Sequence, residues 1–360
     1  MNKRYNLIFI VQNSVKINKR MIAVSIAYRL SPYGFFNGDE VVAEKTLNLG
    51  LEDQRLARDD GLFRAAIMQS QPDRELPIQV RGVVAEAGCS HTDHRLDFDG
   101  DFVARYPSEQ VDDGYFVRCA HHRRDTTDEG STRSPKPVNT TEELRSQMNT
   151  TSSYQLALPG SLINALLSLY ANTTTFGIPS SAELGGNVTL PQHYGAAFRQ
   201  SAAYFGDQVF TAPRRKTCQA WAAHSLSAYC YRFNTKPATT SWVGVAHFSD
   251  VAFVLYNLNR LEYSVNPFAV GNLTHKYIEL SYLMAGSWAS FVPDLDPNSW
   301  RGTGRNAIRA VGGESGWPVY TVDRPRNMVF DANVTNYVEV DDWREKGIAL
   351  INEAALAYGR

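Results

Sequence analysis

The apolar positions of this chain fall into two patterns: short β-branched or aromatic runs, and longer stretches with helical spacing. Met21 to Tyr28 (MIAVSIAY) is a near-continuous apolar run that predicts a buried parallel strand. Tyr5 to Val11 predicts an earlier, weaker strand, Arg64 to Ser70 a short buried one, and Ala228 to Phe233 (AYCYRF) another. Helical spacing runs over Leu162 to Tyr170, Tyr194 to Phe205 and Lys216 to Leu226. Tyr277 to Phe291 and Trp343 to Ala357 predict two amphipathic helices near the C-terminus. Arg81 to Ala87 is apolar and small, whereas Glu109 to Leu144 is rich in Asp, Arg and Thr and predicts mostly loop. Strands alternating with helices predict an α/β fold with a mainly parallel sheet.

One place breaks this pattern. Asn48 to Ala57 (NLGLEDQRLA) starts a helix, with Leu51 and Leu56 among charges, and Arg58-Asp59-Asp60-Gly61 then interrupts it with a turn.

Composition narrows the class. The 360 residues are 43% hydrophobic and 20% charged, as in ordinary globular proteins, and the net charge is −1. No basic stripe is present, so nucleic acid is not an expected partner. No run of 18 apolar residues predicts a transmembrane helix. Lys3 and Arg4 precede only a short apolar stretch, and no small-residue cleavage site follows, so no signal peptide is predicted. Glycosylation sequons point the other way. They occur at Asn139, Asn149, Asn172, Asn187, Asn272 and Asn333, against roughly two or three expected by chance. The cysteines, Cys89, Cys119, Cys218 and Cys230, allow three pairings, and spacing selects none.

Two clusters carry candidate chemistry. Asp125-Thr126-Thr127-Asp128-Glu129-Gly130 is a carboxylate-rich loop closed by glycine. Gly244-Val245-Ala246-His247-Phe248-Ser249-Asp250 leads into the apolar run Val251 to Leu255. An acid that orients a histidine, and a histidine that takes a proton, are two thirds of a nucleophile triad. Cys89, His91, Asp93 and His94, with His121 or His122 as a further ligand, lack a standard zinc spacing, so no metal site is predicted. Arg123-Arg124 reads as a solvated charge pair, and the 18 tyrosines and 17 phenylalanines as core and gorge lining.

Ordered along the chain stand RYNLIFIVQNS, MIAVSIAYRL with Gly34-Phe35, NLGLEDQRLA, DDGLFRAAIMQS, FDGDFVARYPSEQ, TTDEG, YFGDQVFTAPRRKTCQAWA, AYCYRFNT, GVAHFSDVAFVL and WREKGIALINEA. With these the sequence resembles the type-B carboxylesterase/lipase family, in its fungal branch, collinearly from near residue 4 to near residue 356. The resemblance implies an α/β-hydrolase fold and hydrolysis of carboxylic esters, with a small-molecule or lipid ester as substrate and no cofactor. It places the family's triad acid on Glu129 and its triad histidine on His247, in the order such hydrolases require. Asp250 falls where the family has a glutamate that supports the histidine, one methylene longer. The resemblance also implies secretion.

Parts of the family pattern are missing. Its nucleophile sits in a G-E-S-A-G elbow between the DQRLA helix and the GLFRAAI strand; here Ala57 runs straight into Arg58. No G-x-S-x-G occurs elsewhere: Gly313-Glu314-Ser315-Gly316 is followed by Trp317, and Ser315 reads as loop. The glycine-rich oxyanion loop expected before RYNLIFIVQNS lies outside this chain. The cysteine that the family pairs with Gly88-Cys89-Ser90 is replaced by a jump through HTDHRLD, a second gap near 90–97. The expectation is one partial α/β-hydrolase domain over 1–360, lacking the elbow strand and N-terminal strands, marginal in stability and catalytically dead. An alternative is a binding or interaction protein on a degenerate hydrolase scaffold, or the product of a pseudogene or of a gene read with coding sequence skipped.

Overall fold

In a computed structural model of the chain, the described residues are 3–25, 28, 39–49, 64–68, 105–152, 155–181, 190–238, 242–301, 316–334 and 336–360. The junction at 57–58, most of the NLGLEDQRLA helix, Arg81 to Ala87, Cys89 with its histidines, and Ser315 lie outside them.

Five strands form one sheet in the order β1-β2-β3-β4-β5. They are β1 (Ala65–Met68), β2 (Ala120–Thr126), β3 (Ala228–Phe233), β4 (Arg326–Phe330) and β5 (Tyr337–Val340). The first four are parallel, and β5 returns antiparallel against β4. Long crossovers carry helices between the parallel strands, as this connection requires. The helices Gly160–Leu169, Phe198–Gly206, Ala212–Ala223, Thr274–Asp294 and Glu345–Glu353 fall on the predicted helical stretches, with boundaries shifted by a few residues.

Period-two alternation separates the two faces of the sheet. Tyr229, Tyr231 and Phe233 of β3, with Met328 and Phe330 of β4, join a core with Leu280, Met284 and Trp288 of the long helix Thr274–Asp294. Ala228 and Cys230 point the other way, onto Cys218 and Trp221 of helix Ala212–Ala223. A disulfide between Cys218 and Cys230 ties that helix to β3, one of the bonds that spacing left open.

The largest departure from the sequence reading is β2. Its sequence, AHHRRDT, lies within the stretch predicted as loop, yet it is a buried interior strand between β1 and β3. Each polar residue has a defined setting. On one face His121 meets Trp221, Arg123 donates to Thr217 Oγ1, and Asp125 pairs with Arg214. On the other, His122 sits among Tyr231, Trp288, Phe291 and Trp317. Arg123 and Arg124 are therefore buried rather than solvated. Helices Pro107–Asp112 and Thr141–Met148 also occupy the stretch read as loop.

The N-terminal strands are a second correction. Tyr5 to Val11 folds as a turn of 3-10 helix and the helix Ile8–Lys16, which packs on the long helix. Residues 21–25 and 28 of the predicted buried strand lie outside any strand, with Ile22 92% and Val24 77% exposed. The physical reason is the ladder. A strand stays buried only where a neighbour accepts its backbone hydrogen bonds, and a helix supplies its own. Among the described residues no strand is registered against 21–25 or 28.

Two buried ion networks tie elements together, one holding helix Ala212–Ala223 to Asp341 after β5 and one joining helical segments around Asp207. Asp341 receives a two-pronged contact from Arg214 at 2.5 and 3.0 Å and a third from Arg215 at 2.9 Å. Asp207 is held by Arg344 at 2.5 and 2.6 Å and by the Tyr170 hydroxyl at 2.7 Å. Two-pronged arginine–carboxylate contacts set orientation as well as distance.

Burial pushes the His122 imidazole down to about 3, and burial, then Arg123 and His122, lower His121 well below its ordinary value. Both rings are neutral in the fold and charged in the unfolded chain below its histidine pKa. Their contribution is thus complete above about pH 6.5 and is lost as pH falls toward the folded value, by up to about 1.4 kcal/mol per pH unit for each ring. Urea unfolding at pH 7.5 and pH 5 is expected to show this loss, and His122→Phe to reduce it. An unchanged slope in that variant would contradict the assignment to His122.

Candidate active site

The carboxyl ends of β2 and β3 are adjacent, and each leads into one of the two loops singled out from sequence. After β2, Asp128 and Glu129 precede a short helical turn, Gly130–Arg133. After β3 the chain runs to Gly244–Asp250 and the turn Val251–Val254. The two loops are laced together. The Asp128 amide donates to the Val245 carbonyl at 3.0 Å, and the Val245 amide donates to Asp128 Oδ2 at 2.7 Å. The Ser131 hydroxyl contacts the Val243 carbonyl at 2.6 Å.

This lacing brings Glu129 and His247 together. Glu129 Oε2 lies 2.5 Å from His247 Nδ1, and Glu129 Oε1 accepts from the Thr126 amide at 2.7 Å. The carboxylate is 1% exposed and the imidazole 11%, so the pair is largely shielded and the ring keeps a small contact with solvent. With Nδ1 donating to the carboxylate, neutral imidazole presents Nε2 as a base. Phe210 packs on the ring with centroids 4.6 Å apart. Phe210 belongs to a single π-helical turn, Asp207–Thr211, inserted between two α-helices and anchored at Asp207 by Arg344. Such turns re-aim side chains that a regular helix would point elsewhere.

Behind the pair lies a buried cation. Arg124 Nη1 is 2.8 Å from Asp250 Oδ1 and 3.9 Å from Glu129 Oε1, with all three side chains buried. Asp250 Oδ2 accepts from the Tyr231 hydroxyl at 2.8 Å. One guanidinium therefore stands between two carboxylates from different loops. Burial opposes ionisation of Glu129, but His247, Arg124 and the Thr126 amide outweigh it and hold the carboxyl below its ordinary value. Burial raises the Asp250 carboxyl, opposed by Arg124.

Close backbone approach fixes the acid loop. A methyl group on Gly130 would come within 1.9 Å of the Ala202 carbonyl oxygen, so the helix Phe198–Gly206 packs directly on the backbone beside Glu129. On the histidine loop Phe248 adopts φ +76°, a left-handed conformation costly for a bulky residue and common at functional loops.

Three residues predicted from sequence, Glu129, His247 and Asp250, thus meet in one cluster. Arg124, Tyr231 and Phe210 belong to it as well and were not singled out for it. Arg124 lay in a polar run and Tyr231 in a strand pattern, and neither carries a local signature. Among the described residues, no cluster of His, Cys, Asp or Glu could hold a metal ion.

The family model for the carboxylesterase family matches residues 123–344, from β2 through both loops and beyond β5. The chain belongs to the carboxylesterase family. Lipase 4 of Diutina rugosa is 24% identical over 93% of this chain and 69% of its own length. The inactive carboxylesterase-like protein VdtD of Byssochlamys spectabilis is 23% identical over 81% of this chain. The match covers 64% of VdtD, so this carboxylesterase-family chain spans less than two thirds of that relative. Aspergillus niger EstA superposes with a TM-score of 0.72 at 16% identity, covering 100% of this chain and 78% of that one, which establishes an α/β-hydrolase-like fold.

Removing the cation from this cluster leaves two buried carboxylates facing each other. Arg124→Leu is expected to cost about 3–5 kcal/mol of unfolding free energy. Denaturant melts of the two proteins measure this, and a loss below about 1 kcal/mol would contradict the clamp.

Proposed function

We propose that this chain is a partial hydrolase unit that keeps the acid–base half of an ester hydrolase's triad and, in the form given, does not turn over esters. Glu129 is the acid that orients and stabilises the histidine. His247 is the base that would take a hydroxyl proton and return it to the leaving alcohol. Asp250 positions Arg124 behind them. The contact that carries this reading is the 2.5 Å approach of His247 Nδ1 to the buried Glu129 carboxylate. It is supported by the family and by the order of acid and histidine along the chain.

The nucleophile is the missing half. The sequence has no G-x-S-x-G, and its family elbow would fall at the Ala57–Arg58 junction. Loss of a triad serine costs about a millionfold in turnover. His247 without a hydroxyl to activate has no step to perform on an ester. The substrate class of a complete form is a carboxylic ester, small or lipid.

A second reading follows from one relative. VdtD is described as an inactive carboxylesterase-like protein, and a scaffold of this kind that retains its fold is suited to binding.

Two measurements on the purified chain test the proposal. A fluorophosphonate probe is expected to add no mass to any serine, and p-nitrophenyl butyrate to be cleaved no faster by the chain than by its His247→Ala variant. A serine adduct with His247-dependent turnover would overturn it. Calorimetric titration with the intact short-chain ester distinguishes a binding scaffold, which gives saturable heat, from one without a ligand site.

A further inference from the structure

We propose that Arg301 and Trp300, with Tyr282 and Tyr256 beside them, form a subsite for an organic carboxylate. The acid group is held by the guanidinium and the apolar body lies along the rings. None of these residues belongs to the cluster around Glu129 and His247.

The site is built where the chain turns back on the long helix Thr274–Asp294. That helix is closed by Leu295 at φ +58°, and the residues after it are strapped in place. Ser290 Oγ donates to the Asp296 carbonyl at 2.8 Å and lies 2.8 Å from Ser299 Oγ. Asn298 donates its amide and its side-chain N–H to Asp296 Oδ1 at 2.8 and 2.9 Å. Its side chain also bonds the Trp317 carbonyl and amide, at 2.9 and 2.8 Å. This turn seats Trp300 on Gly286, where a methyl group would come within 2.4 Å of the indole. Arg301 reaches the next helical residue: its Nη2 donates to the buried Ser287 hydroxyl at 3.0 Å.

This step of the helix has donors without acceptors. Arg301 Nε, Arg301 Nη1 and Trp300 Nε1 are covered and have no hydrogen-bond partner, and no described residue from 282 to 301 offers an unmet buried acceptor. Burial lowers the guanidinium to about 10, opposed by Asp296, so it is charged at neutral pH. The buried guanidinium groups of Arg124, Arg214 and Arg344 each face a carboxylate, whereas Arg301 rests on one neutral hydroxyl. A desolvated cation of this kind is costly, and an anion placed against it offsets the cost.

The surroundings select the kind of anion. Tyr282 meets Trp300 edge-on with centroids 5.4 Å apart, and Tyr256 and Tyr282 are 6.2 Å apart. All three rings and Arg301 are partly exposed, so a row of apolar faces leads to the cation. Mostly apolar walls with a few convergent polar groups are the usual lining of a small-molecule site. A carboxylate carrying an alkyl or aryl body uses both parts, whereas an inorganic anion uses the guanidinium alone. The covered nitrogens are reached by turning the Arg301 side chain, which exchanges its bond to Ser287 for stronger, charge-assisted bonds to the carboxylate.

The test is titration of the full chain, ¹⁵N-labelled at tryptophan, with phenylbutyrate. The indole N–H signal of Trp300, assigned through Trp300→Phe, is expected to shift saturably. Arg301→Gln is expected to weaken binding about tenfold or more. Tyr282→Ala is expected to weaken it about fivefold. His247→Ala is expected to bind as the parent does, which separates this site from the acid–histidine pair. Phenylbutanol and inorganic phosphate are expected neither to shift the signal nor to displace the acid. No saturable shift, an equal response to phenylbutanol, displacement by phosphate at equal concentration, undiminished binding in Arg301→Gln, or loss in His247→Ala would each overturn the proposal. The acid, the alcohol and phosphate are compared on the unaltered chain, so the test decides even where a variant fails to fold.

Discussion

The arrangement around the site depends on one buried cation. Arg124 stands between Glu129 and Asp250, which belong to loops far apart in sequence. Two ionised carboxylates at this depth repel each other and lose solvation, and each alone is costly. A guanidinium fixed in a buried interior strand offsets both. Because Arg124 is carried by β2, the position of the acid and of the chain after the histidine is referred to the sheet rather than to surface loops.

The rest of the molecule holds that geometry from outside. Gly130 lets the helix Phe198–Gly206 press on the acid loop with no side chain between. The π-helical turn delivers Phe210 to the imidazole, and Arg344 grips Asp207 at its start. Asp341 gathers Arg214 and Arg215, and Arg214 also reaches Asp125 on β2. These contacts run from the C-terminal part of the chain back to the strand that bears Arg124. The region matched by the family model, 123–344, is the same region these contacts knit together.

Much of this was legible in the sequence, and the exceptions have physical causes. Helices such as Gly160–Leu169 and the strand Ala228–Phe233 follow directly from apolar spacing. Glu129 and His247 stood out as an acid loop and a histidine loop, and the family resemblance put them in one site. β2 was hidden because its inward residues are charged or aromatic-ring groups satisfied by partners far along the chain, such as Thr217, Arg214 and Asp250. Hydrophobic pattern does not register burial that is stabilised by ion pairs. Met21 to Tyr28 erred in the opposite direction: its apolar run has the composition of a buried strand, but composition supplies no ladder neighbour, and Ile22 and Val24 are left in solvent.

The central claim is that the buried Glu129 carboxylate, held behind by Arg124, fixes the His247 ring through Nδ1. Proton NMR of the chain with ¹⁵N-labelled histidine measures this directly. The account predicts a far-downfield Nδ1 proton assigned to His247, present in the native protein and lost in Glu129→Gln. A His247 ring protonated only at Nε2, or a downfield proton that persists unchanged in Glu129→Gln, would contradict it.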